Sequence, residues 1–165
     1  MKKINITLLT AILMTAIACN SSPTGQQQTN NPPAESDLIF EKGEKITNDN
    51  FTGTAWLNDL ITPDDENPNA VGSVTFEPGA RTRWHSHPAG QIILALDGVG
   101  YYQEEGKPVE IIHKGGVVKC PHNIPHWHGA SPDSHFIQIA ITGRENGPTV
   151  WYEKVTDEEY HSYKK

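Results

Sequence analysis

The sequence contains little cysteine and has no excess of positive charge. These two features argue against a disulfide-stabilised protein and against a nucleic-acid-binding one. There are two cysteines, Cys19 and Cys120, in 165 residues, and their contexts do not suggest a disulfide pair. Cys120 is expected to be a small apolar residue at the end of a strand. Lys and Arg number 13 against 20 Asp and Glu, which gives a formal net charge of −7. Because the basic residues do not cluster, the chain is not expected to bind nucleic acid or to carry a basic membrane-binding surface.

Amphipathic helical periodicity is almost absent from the chain. Short segments rich in Val, Ile, Thr and aromatic residues alternate with turns that contain Gly and Pro. This pattern indicates an antiparallel β-sandwich or β-barrel. The segment Thr156-Asp-Glu-Glu159 matches a capping box, so it predicts one short helix at the C-terminus. We therefore expect an all-β domain with a short C-terminal helix.

The turn signals divide the domain into short strands. Asp97-Gly98 predicts a turn after the apolar run that starts at Gln91, and 105–108 predicts a hairpin between two further strands. Strands are expected at 51–57, 71–77, 91–96, 100–104, 109–113, 116–120, 126–129, 135–142 and 150–153.

The N-terminal segment has the features of an export signal. Residues 1–18 start with Lys2 and Lys3, continue with a short apolar stretch and end with small residues before Cys19. This order resembles a bacterial lipoprotein signal with Cys19 as the lipidation site, and ordinary cleavage near Ala18 is the alternative. Residues 19–37 are polar and predict a flexible tether, followed by a folded domain at 38–165. We expect a lipid-anchored protein of the periplasm or outer membrane.

Four side chains in the middle of the chain form a candidate metal site. His85 and His87 are two residues apart, so on a β-strand their imidazoles point to the same face. Gln91 begins the next run after a Pro- and Gly-containing break, and His126 follows a turn much later in the chain. A His-x-His pair alone is a weak signal. Three imidazoles and an amide oxygen nevertheless suit a divalent transition metal such as Mn, Fe, Co, Ni, Cu or Zn.

The spacing of these residues resembles the two sequence motifs of the cupin family. The first motif is matched by Gly79, His85, His87, Gln91 and Gly98, and the second by Gly115, Pro121, Asn123 and His126. The resemblance implies a cupin fold, a jelly-roll-like antiparallel β-barrel, and the absence of a repeated motif implies a single barrel. Most cupins have Glu at the position of Gln91 and Gly at the position of Asn123. The second change is mild because Asn tolerates a left-handed turn.

The neutral Gln91 changes the expected chemistry. Since the amide and three imidazoles carry no charge, a bound ion would keep its full divalent charge and would be a stronger Lewis acid. Neutral ligands also fail to favour a trivalent oxidised state. Both effects favour lyase, isomerase or hydrolytic chemistry over dioxygenation.

The alternation of side chains along strands predicts which residues line the pocket. The candidates near the metal-binding face are Gly72, Val74, Phe76, Arg83, Ile93 and Ala95. Arg83 is either an anion clamp or a solvated residue at the rim. His128 shares the face of His126, while alternation alone leaves the inward face of 135–142 open. Because its odd-numbered isoleucines form the more apolar set and are expected to pack between the sheets, the face left for the pocket carries Phe136, Gln138, Ala140 and Thr142. The other histidines are expected at the surface or in loops: His113, His122, His135 and His161.

A narrower resemblance extends from about residue 51 to residue 160. The segments 74–82, 84–87, 90–91, 126–130 and 155–160 are similar to small cupins associated with carboxymuconolactone decarboxylases, which include metal-dependent bacterial hydroxynitrile lyases. The resemblance implies manganese bound by His85, His87, Gln91 and His126. A pocket His that is thought to act as base in those lyases falls at Gln138, and a pocket Gln falls at Thr142. Candidate catalytic positions are therefore His128, Gln138 and Thr142.

Three functional hypotheses follow from these residues. The first is a metal-dependent lyase or isomerase that acts on a small oxygenated organic molecule. The alternatives are a non-catalytic ligand-binding or sensing cupin and a metal-dependent dioxygenase. The expected cofactor is one divalent metal ion. Manganese is the first candidate, and Fe, Zn, Ni and Co are the alternatives. We expect membrane association only through the lipid anchor, and a homo-oligomer, either dimer or tetramer.

Overall fold

The structure is a computed structural model that describes residues 34–163. Residues 1–33 lie outside the described residues, and with them the predicted signal segment, Cys19 and most of the predicted tether. The division of the chain into these three segments therefore stays a prediction. Within 34–163, no helix is long and apolar enough to cross a membrane.

The regular secondary structure of the described residues is almost entirely β-strand. A single 3-10 turn at Glu35–Asp37 precedes the strands, and one short α-helix, α1, follows them at Asp157–Tyr160. The strands are β1 (Glu44–Lys45), β2 (Phe51–Thr52), β3 (Ala55–Ile61), β4 (Asn69–Phe76), β5 (Arg81–Thr82), β6 (His85–Ser86), β7 (Gln91–Glu104), β8 (Glu110–His113), β9 (Val117–Cys120), β10 (His126–Ala130), β11 (Phe136–Gly143) and β12 (Val150–Trp151).

All strand pairings are antiparallel, and the strands join into one curled sheet. The order along its main path is β1-β3-β4-β11-β7-β10-β5-β2, with β12 and β6 beside β10, and with β8 and β9 beside β7. β7 connects the two walls because its first half pairs with β11 and β9 and its second half with β10 and β8. The predicted all-β fold with a short C-terminal helix is confirmed.

The predicted turn at Asp97-Gly98 is wrong, because β7 continues through it. Gly98 has a φ of 74°, which a glycine adopts without strain. A Cβ at this position would overlap the carbonyl oxygen of His135. The pairing with β11 shifts register nearby, between Ile137 and Gln138. The glycine therefore bends a continuous strand from one wall of the sheet into the other, as at a β-bulge.

The predicted strand at 51–57 is divided into β2 and β3. Gly53, with a φ of 81°, lies between them, and its Cα is packed against Ala80. β2 pairs with β5 while β3 pairs with β4, so the two pieces belong to different walls. The division places Phe51 beside the candidate site.

Two hydrophobic clusters stabilise the domain. The larger one lies between the walls and includes Phe76, Ile93, Tyr102 and Phe136. The smaller one packs α1 against the sheet and consists of Trp84, Val109, Trp127, Val155 and Tyr160. Trp127 is fully buried.

The capping box of α1 is present as predicted. The Thr156 hydroxyl accepts a hydrogen bond from the backbone N–H of Glu159, and the Glu159 carboxylate accepts one from Thr156. Tyr160 then donates its hydroxyl to the carbonyl of Ala130 at 2.7 Å. This bond connects the helix to the end of β10, the strand that carries His126.

Candidate metal and ligand site

The candidate site forms where β6 pairs with β10. His85 and His126 are directly opposite each other in this pairing, and their ring centroids are 4.4 Å apart. His87 follows β6, and its ring centroid is 5.0 Å from that of His85 and 5.4 Å from that of His126. The antiparallel pairing therefore brings together imidazoles from two distant parts of the chain.

A fourth imidazole lies in the same cluster. Among the described residues, one nitrogen each of His85, His126 and His128 lies within 4.8 Å of the others, a spacing at which they could hold a metal ion. His128 was predicted beside the metal and not as a ligand. The distances alone therefore allow a second ligand set besides the predicted one, which includes His87 and Gln91.

The hydrogen bonds of the imidazoles distinguish the members of the cluster. Nδ1 of His85 lies 2.9 Å from the carbonyl oxygen of Arg83, and Nδ1 of His126 lies 3.0 Å from that of Ile124. A carbonyl oxygen only accepts, so each Nδ1 carries the proton and each Nε2 keeps its lone pair. Metal-binding histidines typically have this arrangement, because the second bond orients the ring.

His87 and Gln91 are oriented in a similar way. Nδ1 of His87 lies 3.2 Å from the hydroxyl of Thr149. The amide nitrogen of Gln91 donates to the hydroxyl of Thr142 at 2.9 Å. The amide oxygen of Gln91 accepts only a long, weak bond from the Cys120 thiol at 3.9 Å, so it keeps a lone pair for a metal ion. By contrast, Nδ1 of His128 is buried without a hydrogen-bond partner in the described part of the chain.

The four histidines are held in the neutral form. Desolvation, followed by the neighbouring imidazoles, keeps the pKa of His85 and of His128 well below the usual value. The pKa of His87 is lowered to about 3 by desolvation, then by His126 and Arg144. The pKa of His126 is also lowered, with desolvation as the main cause. Neutral imidazole is the form that binds metals.

The donor set fits a divalent transition metal. Nε2 of His87 and Nε2 of His126 are buried and have no hydrogen-bond partner among residues 34–163. An orphaned buried acceptor is costly, and a metal ion would satisfy several of them at once. Imidazole nitrogens and one amide oxygen suit Mn, Fe, Co, Ni or Zn, so the donors do not select one metal.

A cavity of about 160 Å³ opens beside the histidines. Its wall combines apolar and polar side chains from nine strands and from the loops after β6 and β11. The lining residues are Phe51, Leu57, Asp59, Ala70, Val71, Gly72, Val74, Thr82, His85, His87, Gln91, His128, Ala140, Thr142, Arg144, Thr149 and Trp151. The size suits a small organic molecule.

The predicted pocket residues divide into two groups. Gly72 and Val74 line the cavity. Three others lie in the apolar core cluster and do not line it: Phe76, Ile93 and Ala95. Arg83 is half-buried and does not line the cavity either. Arg83 contributes to the site through its backbone carbonyl, which orients the ring of His85.

The three predicted catalytic positions have different surroundings. His128 and Thr142 line the cavity, and Thr142 contacts the amide of Gln91. Gln138 is fully buried and does not line the cavity, and neither its amide oxygen nor its amide nitrogen has a partner in the described region. On β11 the inward face thus runs through the even-numbered residues, with Ala140 and Thr142 at the cavity.

Sequence reasoning missed several residues of the cavity wall, among them Arg144, Thr149 and Trp151. The alternation that placed Thr142 at the cavity also reaches Arg144 two residues later, so extending the pattern past the strand could have found it. Thr149 and Trp151 had no local signal, because a loop returns them to the site. Trp151 pairs with His85, and the two ring centroids are 4.9 Å apart.

His135, expected at the surface or in a loop, lies in the loop just before β11 but is buried there. It is only 5% exposed, and its Nε2 lies 3.1 Å from the Asp97 carboxylate. Its place beside the bend at Gly98 buries it. The other three are exposed as expected: His113, His122 and His161.

Comparison with known proteins agrees with the fold described above. Residues 72–139 match the cupin domain family. The chain is 48% identical over 111 residues to an (R)-mandelonitrile lyase of Granulicella tundricola, covering 67% of this chain and 85% of that protein. It is 50% identical to a cupin-like protein of Thermotoga maritima, with a TM-score of 0.72 over 75% of this chain and 95% of the other.

A more distant structure has the same fold. A DMSP lyase of Ruegeria pomeroyi is 24% identical with a TM-score of 0.51, and the match covers 62% of this chain and 52% of that protein. At this identity the likeness concerns the fold alone. The match to the domain family and the two close relatives confirm the resemblance noted in the sequence, and the chain belongs to the cupin family.

Proposed function

We propose that this protein is a metal-dependent lyase or isomerase that acts on a small oxygenated organic molecule. The observation that carries the proposal is the cluster of neutral, oriented imidazoles beside a cavity of about 160 Å³. The identity of 48% to an (R)-mandelonitrile lyase supports lyase chemistry. We take manganese as the first candidate for the ion.

The proposed metal ligands are His85, His87, Gln91 and His126. His85 and His126 are held by backbone carbonyls, and Thr142 holds the amide of Gln91. His128 has no such bond at its Nδ1, which favours His87 over His128 as the third imidazole ligand. Since all four donors are neutral, the bound ion would supply strong Lewis acidity for polarising a carbonyl or a hydroxyl group.

His128 is the proposed proton acceptor. It lines the cavity, and burial keeps its ring neutral, so a nitrogen lone pair is present. The same desolvation lowers its pKa, which makes it a weak base and agrees with slow turnover. Gln138 has no basicity near neutral pH, so it cannot replace a catalytic imidazole. Its amide is buried and has no hydrogen-bond partner among the described residues.

The test combines metal analysis with a turnover screen. Purified full-length protein is analysed for Mn, Fe, Co, Ni and Zn, and is then assayed with cyanohydrins, hydroxy acids and uronates. The proposal expects about one divalent ion per chain and turnover that disappears when the ion is chelated. Stoichiometric metal with no turnover across the screen would favour the non-catalytic sensing cupin instead. A protein that binds no divalent ion would refute both.

We also propose that the enzyme acts at the cell envelope as a lipoprotein. The support is the order of charged, apolar and small residues before Cys19, followed by a polar segment. Mass spectrometry of the mature N-terminus tests it. Lipidated Cys19 as the first residue is expected, whereas unmodified Cys19 or cleavage elsewhere contradicts the proposal.

A further inference from the structure

We propose that the cavity recognises a small carboxylate through Arg144, so that the molecule bound beside the histidines is an organic anion such as a short hydroxy acid. Carboxylate binding by Arg144 stands on the geometry of the cavity wall. The statement that this anion is the substrate rests on the function proposed above.

Arg144 has hydrogen-bond donors to spare. It follows the end of β11 and lines the cavity half-buried, and its Nη1 donates to the hydroxyl of Thr149 at 2.8 Å. Among the described residues, this is its only recorded side-chain hydrogen bond, and it forms no ion pair. A guanidinium presents a planar fork of N–H donors that matches a carboxylate, so the remaining donors can bind one.

The charge of the cavity wall favours an anion. Arg144 is the one lysine or arginine among the residues that line the cavity. Asp59 is the one acidic residue of the lining, and it is exposed and lies beyond ion-pair distance of Arg144. Partial burial desolvates the guanidinium, and a bound anion would offset that cost.

Thr149 connects Arg144 to the histidine cluster. Its hydroxyl accepts from Arg144 and also lies 3.2 Å from Nδ1 of His87. One hydroxyl group therefore separates the guanidinium from an imidazole of the cluster. A carboxylate on Arg144 would place the adjacent hydroxyl of a short hydroxy acid towards the same cluster, and the cavity of about 160 Å³ admits a molecule of this size.

The test measures binding by isothermal titration calorimetry, with the full-length protein in metal-loaded and metal-free forms. Glycolate and lactate are the probes, and lactamide is the uncharged counterpart of lactate. Inorganic phosphate tests whether the site takes any anion. The variants are Arg144→Gln, which removes the charge, and Arg144→Lys, which keeps the charge without the fork. Lys119→Gln is the matched control, because it removes one positive charge from an exposed position on β9.

We expect lactate or glycolate to bind at least about tenfold more tightly than lactamide and phosphate, since a hydrogen bond to a charged group contributes this much. Arg144→Gln should lose about tenfold in affinity, Arg144→Lys should lose less, and Lys119→Gln should bind like wild type. Circular dichroism verifies that each variant is folded.

Three results would overturn the inference: no binding of either carboxylate by the wild type, equal binding of lactate and lactamide, or unchanged lactate affinity in folded Arg144→Gln. Failure of the proposed function is a separate observation, because it appears as absent metal or absent turnover. Carboxylate binding that depends on Arg144 without turnover would support the inference and refute the enzyme proposal.

Discussion

His85 lies directly opposite His126 where β6 pairs with β10, and their ring centroids are 4.4 Å apart. Each ring directs its Nδ1 to a carbonyl oxygen two residues earlier in its own chain segment. The same type of local hydrogen bond therefore orients both imidazoles, although only the pairing of their strands brings the two rings together. Correct pairing of β6 with β10 is therefore a condition for a metal site that uses both His85 and His126.

Replacing the proposed ligands should remove the metal. His87→Ala and His126→Ala are expected to lose bound metal in elemental analysis while circular dichroism remains unchanged. His128→Ala should retain it, because the Nδ1 of His128 lacks the orienting bond that the other rings have. Wild-type metal content in both His87→Ala and His126→Ala would contradict the proposed ligands. Loss in His128→Ala with retention in His87→Ala would instead favour the set formed by His85, His126 and His128.

Thr142 should tune the affinity for the metal without binding it. Thr142→Val keeps the shape but removes the hydroxyl that accepts from the Gln91 amide at 2.9 Å. Loss of a group that orients a ligand typically weakens metal affinity by about tenfold to a hundredfold. Competition with a metal chelator measures the change. Thr75→Val, on the same sheet but outside the cavity, is the control and should not alter the affinity.

The wild-type protein should cleave mandelonitrile weakly or not at all. Gln138 lies at the position that the resemblance assigns to a base, and a positioned base contributes on the order of a hundredfold or more. Gln138→His should therefore raise the cleavage rate of manganese-loaded protein if the cavity accepts the substrate. Gln138→Leu is the matched control, since it fills a similar volume without a base.

The opposite result would identify a different mechanism. Robust mandelonitrile cleavage by the wild type that persists in His128→Ala would show that neither candidate base is needed. The same assay on His128→Ala in the Gln138→His background separates the two imidazoles, since only one of them should be required there.

Asp97 should make the stability depend on pH in acid. Burial raises the pKa of its carboxyl, but hydrogen bonds from His135 and Lys114 outweigh this effect, so the net pKa is below the usual range. The stabilisation is complete above the unfolded pKa of about 4 and is lost as pH falls through the lower folded value. Asp97→Asn should therefore lower the free energy of unfolding at pH 7, by about 1 kcal/mol or less at this partly exposed site.

Urea unfolding at pH 7 and at pH 2 measures this difference. The Asp97→Asn and wild-type curves should converge at the lower pH. Glu110→Gln, at an exposed position on β8, is the control for loss of one negative charge. An effect of Asp97→Asn that is equal at both pH values would contradict the assignment.

Much of the fold was predictable because local patterns determine it. Alternation predicted the strands that became β4, β10 and β11, and Thr156 with Glu159 predicted the cap of α1. The face shared by His85 and His87 follows from their spacing on an extended chain, and both rings do lie in one cluster. Each of these features depends on residues that are close in sequence.

The sequence by itself determined the all-β class, the approximate strands, the cupin resemblance and the group of residues around the candidate metal site. Only the tertiary structure decided that β7 continues through Gly98, that His135 is buried, and that Arg144 and Thr149 reach the cavity wall. The reason is physical. Side-chain alternation is a property of a few adjacent residues, whereas the bend of β7 and the return of the loop to β6 depend on pairing between strands that are distant in sequence.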